Sequence, residues 1–280
     1  MSSLADFAPA KPLVLIGCGN MGQAMLKGWH AQGLANDGLI LVDPDGGRLA
    51  ALGAAAEGAY RVASVADLDA GLKPRAMVFA VKPQVLPEVL SQARHLVGGN
   101  PVFLSIVAGR PLALFADRLG ADAAVVRAMP NMPAAVARAI TVACPNARIE
   151  ADQKALCDAL LSAIGRVFWS PHEDWLDGVT AVSGSGPAYV FYLVECLAQA
   201  GVAVGLPADL AAELARETIS GAGELLHRSD KSAAELRRAV TSPKGTTEAA
   251  LAVLMADDAF AELLRRAVER AAARSRQLSG

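Results

Sequence analysis

The chain has 280 residues, of which 53% are hydrophobic, 19% charged and 5% aromatic, with a formal net charge of −2. That length suits two domains with a substantial core, and the absence of a basic run interleaved with aromatics argues against a nucleic-acid or membrane-surface partner. Cys18, Cys144, Cys157 and Cys196 form no CxxC pair and lie apart from any His at ligand spacing, which argues against zinc, and nothing suggests a disulfide framework; no metal is expected.

In chain order, residues 12–17 read as a buried strand, apolar throughout as parallel strands tend to be. A helix over about 20–33 follows, then a strand at 39–43 and a helix near 48–56. Further strands are predicted at 76–81, 102–106 and 123–129, with helices at 84–97 and 112–119 between them. This alternation implies a parallel sheet with right-handed crossovers, a Rossmann-type α/β domain. Two late strands, 139–143 and 166–170, are expected to extend its edge.

Past residue 171 the β-type runs stop, and 189–203, 210–226, 233–240, 247–255 and 259–277 all carry helical spacing of apolar residues. The expected division is a dinucleotide-binding domain over 1–168 and an all-helical substrate-binding and dimerisation domain over 169–280. Gly201, Gly205, Gly221 and Gly223 would allow close helix approach, and so much apolar helical surface suggests a core completed by a second subunit. The first residues lack a signal-peptide pattern, and Pro, Gly or charge breaks every apolar stretch before membrane-spanning length. A cytoplasmic protein is expected.

Gly17-Cys18-Gly19-Asn20-Met21-Gly22 fits G-x-G-x-x-G between the first strand and the first helix. Gly17 allows the tight turn, Gly19 lets the backbone approach a pyrophosphate, and Gly22 lets helix and strand pack closely. The helix N-terminus offers free N–H groups to the phosphates. A structural glycine turn is the alternative, but the position in the first crossover and the acid closing the second strand favour a cofactor. That acid, Asp43, would accept bonds from an adenosine ribose and repel a 2′-phosphate, favouring NADH. Arg48, five residues on, would neutralise that preference, as would rotation of Asp43 away. NADPH and NADH both stay open.

Ser242-Pro243-Lys244-Gly245-Thr246-Thr247 begins another helix. Read from its residues alone it is a capped helix start, whose exposed amides also suit a carboxylate. Asp230 reads as a polar residue between helices. His30, His95, His172 and His227 are scattered, so neither Ser183 nor Ser185 has a base with which to form a nucleophilic triad.

The stretches GCGNMGQAM from Gly17, FAVKPQ from Phe79, SIVAG from Ser105, RAMPNMP from Arg127, AVSGSGPAYVFYLVECLAQAGVAVGL from Ala181 and TSPKGTTEAAL from Thr241 carry a further signal. In order and spacing, over nearly the whole chain, they resemble the pyrroline-5-carboxylate reductase family. The resemblance implies NADPH- or NADH-dependent reduction of the small-molecule substrate 1-pyrroline-5-carboxylate to L-proline by a homodimer or a dimer-based oligomer. It implies that the cofactor meets Gly17, Gly19, Asn20, Met21 and Gly22, with Asp43 and Arg48 at the adenosine ribose and Ser64 as a further cofactor position. Ala80, Val81, Lys82 and Pro83 match one wall of the nicotinamide site, and Ile106, Val107 and Ala108 another.

By the same resemblance, Ser242 and the amides of Gly245 and Thr246 cradle the substrate carboxylate. The Thr247 hydroxyl meets the ring nitrogen, which makes Thr247 and Ser242 the expected catalytic pair, and Asp230 matches an acid linked to the site. Ser64 stands where the family usually has Asn, and Lys244 where Gly is usual. The chemistry is a hydride transfer held at about 3–3.5 Å. No residue stands out as a dedicated acid for the imine nitrogen, so water or a pre-protonated substrate would supply that proton. Two rival readings remain. One is another two-domain imine or hydroxy-acid reductase, although the first helix of the second domain offers Glu195 and no Lys for the general acid common there. The other is a non-catalytic dinucleotide sensor.

Overall fold

The computed structural model describes residues 4–279. The chain divides by its contacts into two units, one running to Gly184 and including the residues from Ala272 onward, the other spanning Ser185–Ala271.

The first unit is a three-layer α/β sandwich. Its elements are β1 (Leu13–Ile16), α1 (Asn20–Ala31), β2 (Leu39–Val42), α2 (Gly46–Ala51), β3 (Tyr60–Val62), β4 (Ala76–Phe79), α3 (Leu86–Ala93), β5 (Val102–Ser105) and α4 (Leu112–Leu119). Then come β6 (Ala124–Met129), β7 (Ala139–Pro145), α5 (Ala151–Ser162), β8 (Gly165–Trp169) and α6 (Trp175–Val179). The sheet order is β3-β2-β1-β4-β5-β6-β7-β8, parallel except where β7 runs against β6. Strand order therefore reverses between β1 and β4, the switch point beside which open α/β sheets bind ligands at the carboxyl ends of their strands.

The strands are apolar throughout because both faces are covered. Successive side chains point to opposite faces, so Leu13 and Leu15 join one cluster while Val14 and Ile16 join the other. The first cluster receives Met25, Leu26 and Trp29 of α1 and Leu156, Cys157, Leu160 and Leu161 of α5. Trp29 is fully buried, and its indole Nε1 donates to the Leu160 carbonyl at 2.9 Å, joining the two helices. The second cluster packs α3 and α4 on the opposite face, with the Phe79 ring 6.2 Å from Phe103 and 6.1 Å from Phe115.

The expected edge strands are present, as β7 and β8. Three elements had no counterpart in the sequence reading: the three-residue edge strand β3, helix α5 and the short helix α6. By its contacts the first unit extends through Gly184. Residues 170–184 are tied to the sheet, because Glu173 pairs with Arg127 at 2.7 Å and accepts the Leu112 amide at 2.8 Å. Farther along, Asn131 Nδ2 donates to the Ser183 carbonyl at 3.1 Å. The last residues return to the same unit, where Ser275 donates to Asp177.

The second unit is helical: α7 (Gly186–Ala203), α8 (Ala208–Arg228), α9 (Ala233–Ala239), α10 (Thr246–Leu254) and most of α11 (Phe260–Ser279). The helices α7 and α8 form an antiparallel pair turned by Gly205 at φ +99°. A Cβ on Gly201 would stand 3.0 Å from that of Ala211, so glycine does permit close approach at this crossing. At Gly221 and Gly223 a Cβ would meet open space within this chain. Among the described residues of this unit only Ala211 and Ala215 are buried.

Candidate active site

The glycine turn is built as its motif requires. Gly17 adopts φ +96°, and a Cβ there would lie 2.6 Å from the Ala80 carbonyl oxygen. On Gly22 a Cβ would come within 2.2 Å of the Gly17 carbonyl oxygen, which locks helix to turn. Gly19 has nothing within 4 Å of such an atom, so its backbone faces open space. Beyond it α1 starts at Asn20, with Gly19 as N-cap and no side chain capping it. Its first amides are thus left for an anion.

The turn opens onto a groove of about 660 Å³ beside the β1–β4 switch point. Gly17, Gly19 and Asn20 line it on one side, and Ala80, Val81 and Lys82 on the other. Asp43, Arg48 and Ser64 line its far end. Val65, Val85 and Val89 contribute apolar wall there. A flat aromatic base suits such a wall, and a pyrophosphate suits the bare Gly19 turn, so these residues fit a dinucleotide. The other expected cofactor residues lie around rather than in the groove. Gly22 packs on Gly17, and Met21 faces a neighbouring cavity of about 790 Å³ beside Met129 and Asn131. Pro83 precedes α3, while Ile106 and Val107 are buried at the end of β5 and Ala108 follows in the turn.

Asp43 is only 1% exposed. Its Oδ2 accepts the Cys18 amide at 2.8 Å and its Oδ1 the Asp45 amide at 2.9 Å. Arg48 Nη1 reaches both oxygens, at 3.1 and 3.0 Å. A carboxylate offers about four lone-pair sites, and these contacts occupy them. The ribose contact expected of Asp43 is therefore not presented. Hydrogen bonding to Asp43, and then its charge, hold the Arg48 guanidinium above its usual pKa. The Cys18 thiol is pushed up to about 12, chiefly by burial and then by Asp43, with Arg48 opposing. It stays a neutral packing group.

Ser64 caps the short turn at Val65–Asp67, and its hydroxyl donates to Gln92 Oε1 at 3.0 Å. That contact turns it into the wall of the groove. Three of the histidines have structural partners: His30 bonds Asn36, His95 bonds the Gln92 and Leu68 carbonyls, and His172 packs on Trp175. Among the described residues no cluster of three or more His, Cys, Asp or Glu has metal-binding geometry.

The second expected site lies wholly within the helical unit. Ser242, Pro243 and Lys244 form a turn in which the Gly245 amide donates to the Ser242 carbonyl at 3.0 Å. Gly245 then caps α10 with extended backbone and without a side-chain bond. The Gly245 amide expected in the cradle is thus already engaged, and the free helix-start amides begin at Thr246. Lys244 adopts φ +61°, the left-handed region, and its amide donates to Glu248 Oε2 at 2.7 Å. Thr247 stands half-buried in the first turn of α10, and Asp230 is exposed in the bend between α8 and α9.

Signals missed in the sequence also shape the site region. Thr180–Gly184, within the AVSGSGP stretch, is a π-helical turn, a local form common at functional sites. Asn131, from RAMPNMP, holds that turn through its Nδ2 and the Ile140 amide through its Oδ1. A Cβ on Gly184 would meet the Met129 methyl at 2.7 Å. Both motifs were visible in sequence, but their pairing across 52 residues was not.

Comparison with known proteins now bears directly on this arrangement. The family described as pyrroline-5-carboxylate reductase dimerisation matches residues 173–278, and the one described as NADP oxidoreductase, coenzyme F420-dependent, matches residues 12–109. The pyrroline-5-carboxylate reductase of Pseudomonas aeruginosa is 37% identical, over 95% of this chain and 96% of its own. The chain belongs to the pyrroline-5-carboxylate reductase family. Among solved structures, that of the family member from Coxiella burnetii matches with a TM-score of 0.89 at 30% identity, over 97% of this chain and 99% of its own. The Plasmodium falciparum pyrroline carboxylate reductase, determined with NADP bound, matches with a TM-score of 0.81 at 26% identity, over 98% and 100% of the two chains. This family member has the fold expected from its sequence, a Rossmann-type sheet followed by helices, and it is an NAD(P)H-dependent oxidoreductase.

Proposed function

We infer that this chain reduces 1-pyrroline-5-carboxylate to L-proline with NADPH or NADH, closing proline biosynthesis. The observation that carries the reading is the groove at the switch point, formed by a bare Gly19 turn, an uncapped α1 and an apolar far wall. It is joined in the same chain to a family match over the helical region.

When bound, the dinucleotide supplies a hydride to the imine carbon. The chain's own residues bind and orient. In the first unit, the α1 amides and the Gly19 backbone take the pyrophosphate, and Val65, Val85 and Val89 take the base. In the second unit, Ser242 and the amides from Thr246 onward hold the substrate carboxylate, a task for which an uncapped helix start is well suited. Thr247 hydrogen-bonds the ring nitrogen and fixes which face of the ring is offered. A threonine hydroxyl is too weak an acid to protonate the imine by itself, so the proton comes from water or arrives with the substrate. Lys244 adds positive charge beside an anionic ligand, and Asp230 shapes the polarity of the same unit.

The reading includes a homodimer formed by the helical unit, corresponding to a substrate-binding and dimerisation domain at the C-terminal end of the chain. Its support is that the unit buries only Ala211 and Ala215 while Phe191, Tyr192, Leu197 and Leu225 are exposed. Such a surface needs covering. No described helix is long and apolar enough to cross a membrane, and we place the enzyme in the cytoplasm.

The test is loss of reduced-nicotinamide absorbance when the purified chain meets pyrroline-5-carboxylate, with proline identified as product. Thr247→Ala should slow turnover by about 10²–10⁴-fold. A chain that binds dinucleotide yet turns over no cyclic imine would defeat the assignment and favour the sensor.

A further inference from the structure

We propose that this chain selects NADPH over NADH, with Arg48 contacting the ribose 2′-phosphate and Asp43 serving only to position Arg48. The proposal deepens the dinucleotide reading of the groove and rests on it.

An acid closing the second strand normally favours NADH in two ways: its free oxygens accept the ribose hydroxyls, and its charge repels a 2′-phosphate. Both effects are removed here. The Asp43 oxygens are committed to the Cys18 and Asp45 amides and to Arg48. The side chain is also almost wholly buried, with a guanidinium at 3.0 Å pairing its charge. No acceptor is left for a hydroxyl, and the repulsive charge is paired.

What the groove does present is Arg48, 42% exposed at its side chain. Arginine carries five N–H donors in a rigid fork, a geometry suited to phosphate. The bonds to Asp43 use Nη1, which leaves most of the fork for a ligand. Asp45 lies 3.3 Å from Nη2 and is half-exposed, so it competes for the guanidinium. A solvent-exposed pair of this kind contributes little, and a phosphate near two negative charges outmatches it. Asp45 also bonds the Arg48 amide at 3.0 Å, which fixes the backbone from which the side chain extends. The arginine is therefore held in place before any ligand arrives, which lowers the ordering cost of binding.

The test is calorimetric binding of 2′,5′-ADP and of ADP to the full chain, repeated with NADP⁺ and NAD⁺, for the wild type, Arg48→Gln and Asp43→Asn. The 2′-phosphate should tighten wild-type binding by about tenfold or more. Arg48→Gln should bring the two affinities together while leaving that for ADP within a few-fold of wild type. Asp43→Asn should shrink the ratio, a readout that general loosening of the turn would not move because it weakens both ligands alike. Equal or tighter binding of ADP by the wild type, or an unchanged ratio in Arg48→Gln, overturns the proposal. Failure of all four ligands to bind overturns it together with the dinucleotide reading.

Discussion

The Cys18 amide donates to Asp43 Oδ2 at 2.8 Å, so the middle of the glycine turn is held by the residue that ends the neighbouring strand. The turn is fastened at two more points, by Gln23 Nε2 on the Cys18 carbonyl at 2.9 Å and by the Gly17 amide on the Val42 carbonyl at 2.8 Å. A phosphate loop pinned this way is ordered before ligand binds.

Gly22→Ala tests that rigidity. Alanine at a helical position is favoured over glycine by about 0.8–1.0 kcal/mol. Here its Cβ would sit 2.2 Å from the Gly17 carbonyl oxygen, and backbone cannot swing aside as a side chain can. Overpacking of about 1–3 kcal/mol outweighs the propensity gain. The melting temperature should fall, and dinucleotide affinity should fall with it. A more stable variant would show that the turn yields.

Cys18 gives a pH signature. Its thiol ordinarily titrates near 9.0 and is pushed up to about 12 in the folded chain, chiefly by burial. Below about pH 9 it is protonated in both states and contributes nothing to the pH dependence. Between about 9 and 12 only the unfolded chain releases the proton, so stability falls as pH rises, by about 1 kcal/mol at pH 10. Urea titrations at pH 8 and pH 10 should show this fall partly flattened in Cys18→Ala. In the native chain at pH 9, iodoacetamide should label the half-buried Cys196 well before Cys18.

Glu173 anchors two elements at once, through Arg127 and the Leu112 amide at the start of α4. Arg127 is 6% exposed, so removing its partner strands a buried cation. Because Glu173 itself is 30% exposed, the cost is below that of a fully buried pair. Glu173→Ala should lower stability by about 2 kcal/mol in chemical denaturation. No change would mean that water replaces the carboxylate freely.

Lys244 holds a backbone conformation that L-residues resist, at about 1–2 kcal/mol. Lys244→Gly relieves that strain but adds about 0.4–1 kcal/mol of unfolded-state freedom, so stability should be almost unchanged or slightly raised. The same variant should raise KM for the anionic substrate a few-fold with little effect on kcat, through lost charge. Lys244→Val, branched at Cβ, should destabilise. Equal melting temperatures for the glycine and valine variants would count against a strained loop.

Much of this was legible in the chain. Leu13–Ile16, Leu39–Val42 and Ala76–Phe79 announce themselves because strands covered on both faces have no polar position to hide them. Tyr60–Val62 does not, being three residues at the sheet edge with Tyr60 exposed. Helix α5 buries Gln153, Leu156, Cys157, Leu160 and Leu161, which is helical spacing, but its first buried residue is a glutamine and reads as surface. The glycine turn was legible because two of its positions, Gly17 and Gly22, leave no room for a side chain. The fate of Asp43 was not, because the direction of a carboxylate depends on three partners, one of them 25 residues away.

The three tryptophans, Trp29, Trp169 and Trp175, all belong to the unit that carries the sheet. Selective tryptophan fluorescence is therefore blind to the helical unit, while far-ultraviolet circular dichroism weighs that unit heavily. Unfolding curves from the two signals will coincide only if the units melt together, so a spectrometer with two detectors can count cooperative blocks without any label. Trp29, sealed against Leu160, should emit furthest to the blue and be the last shielded from a soluble quencher to give way.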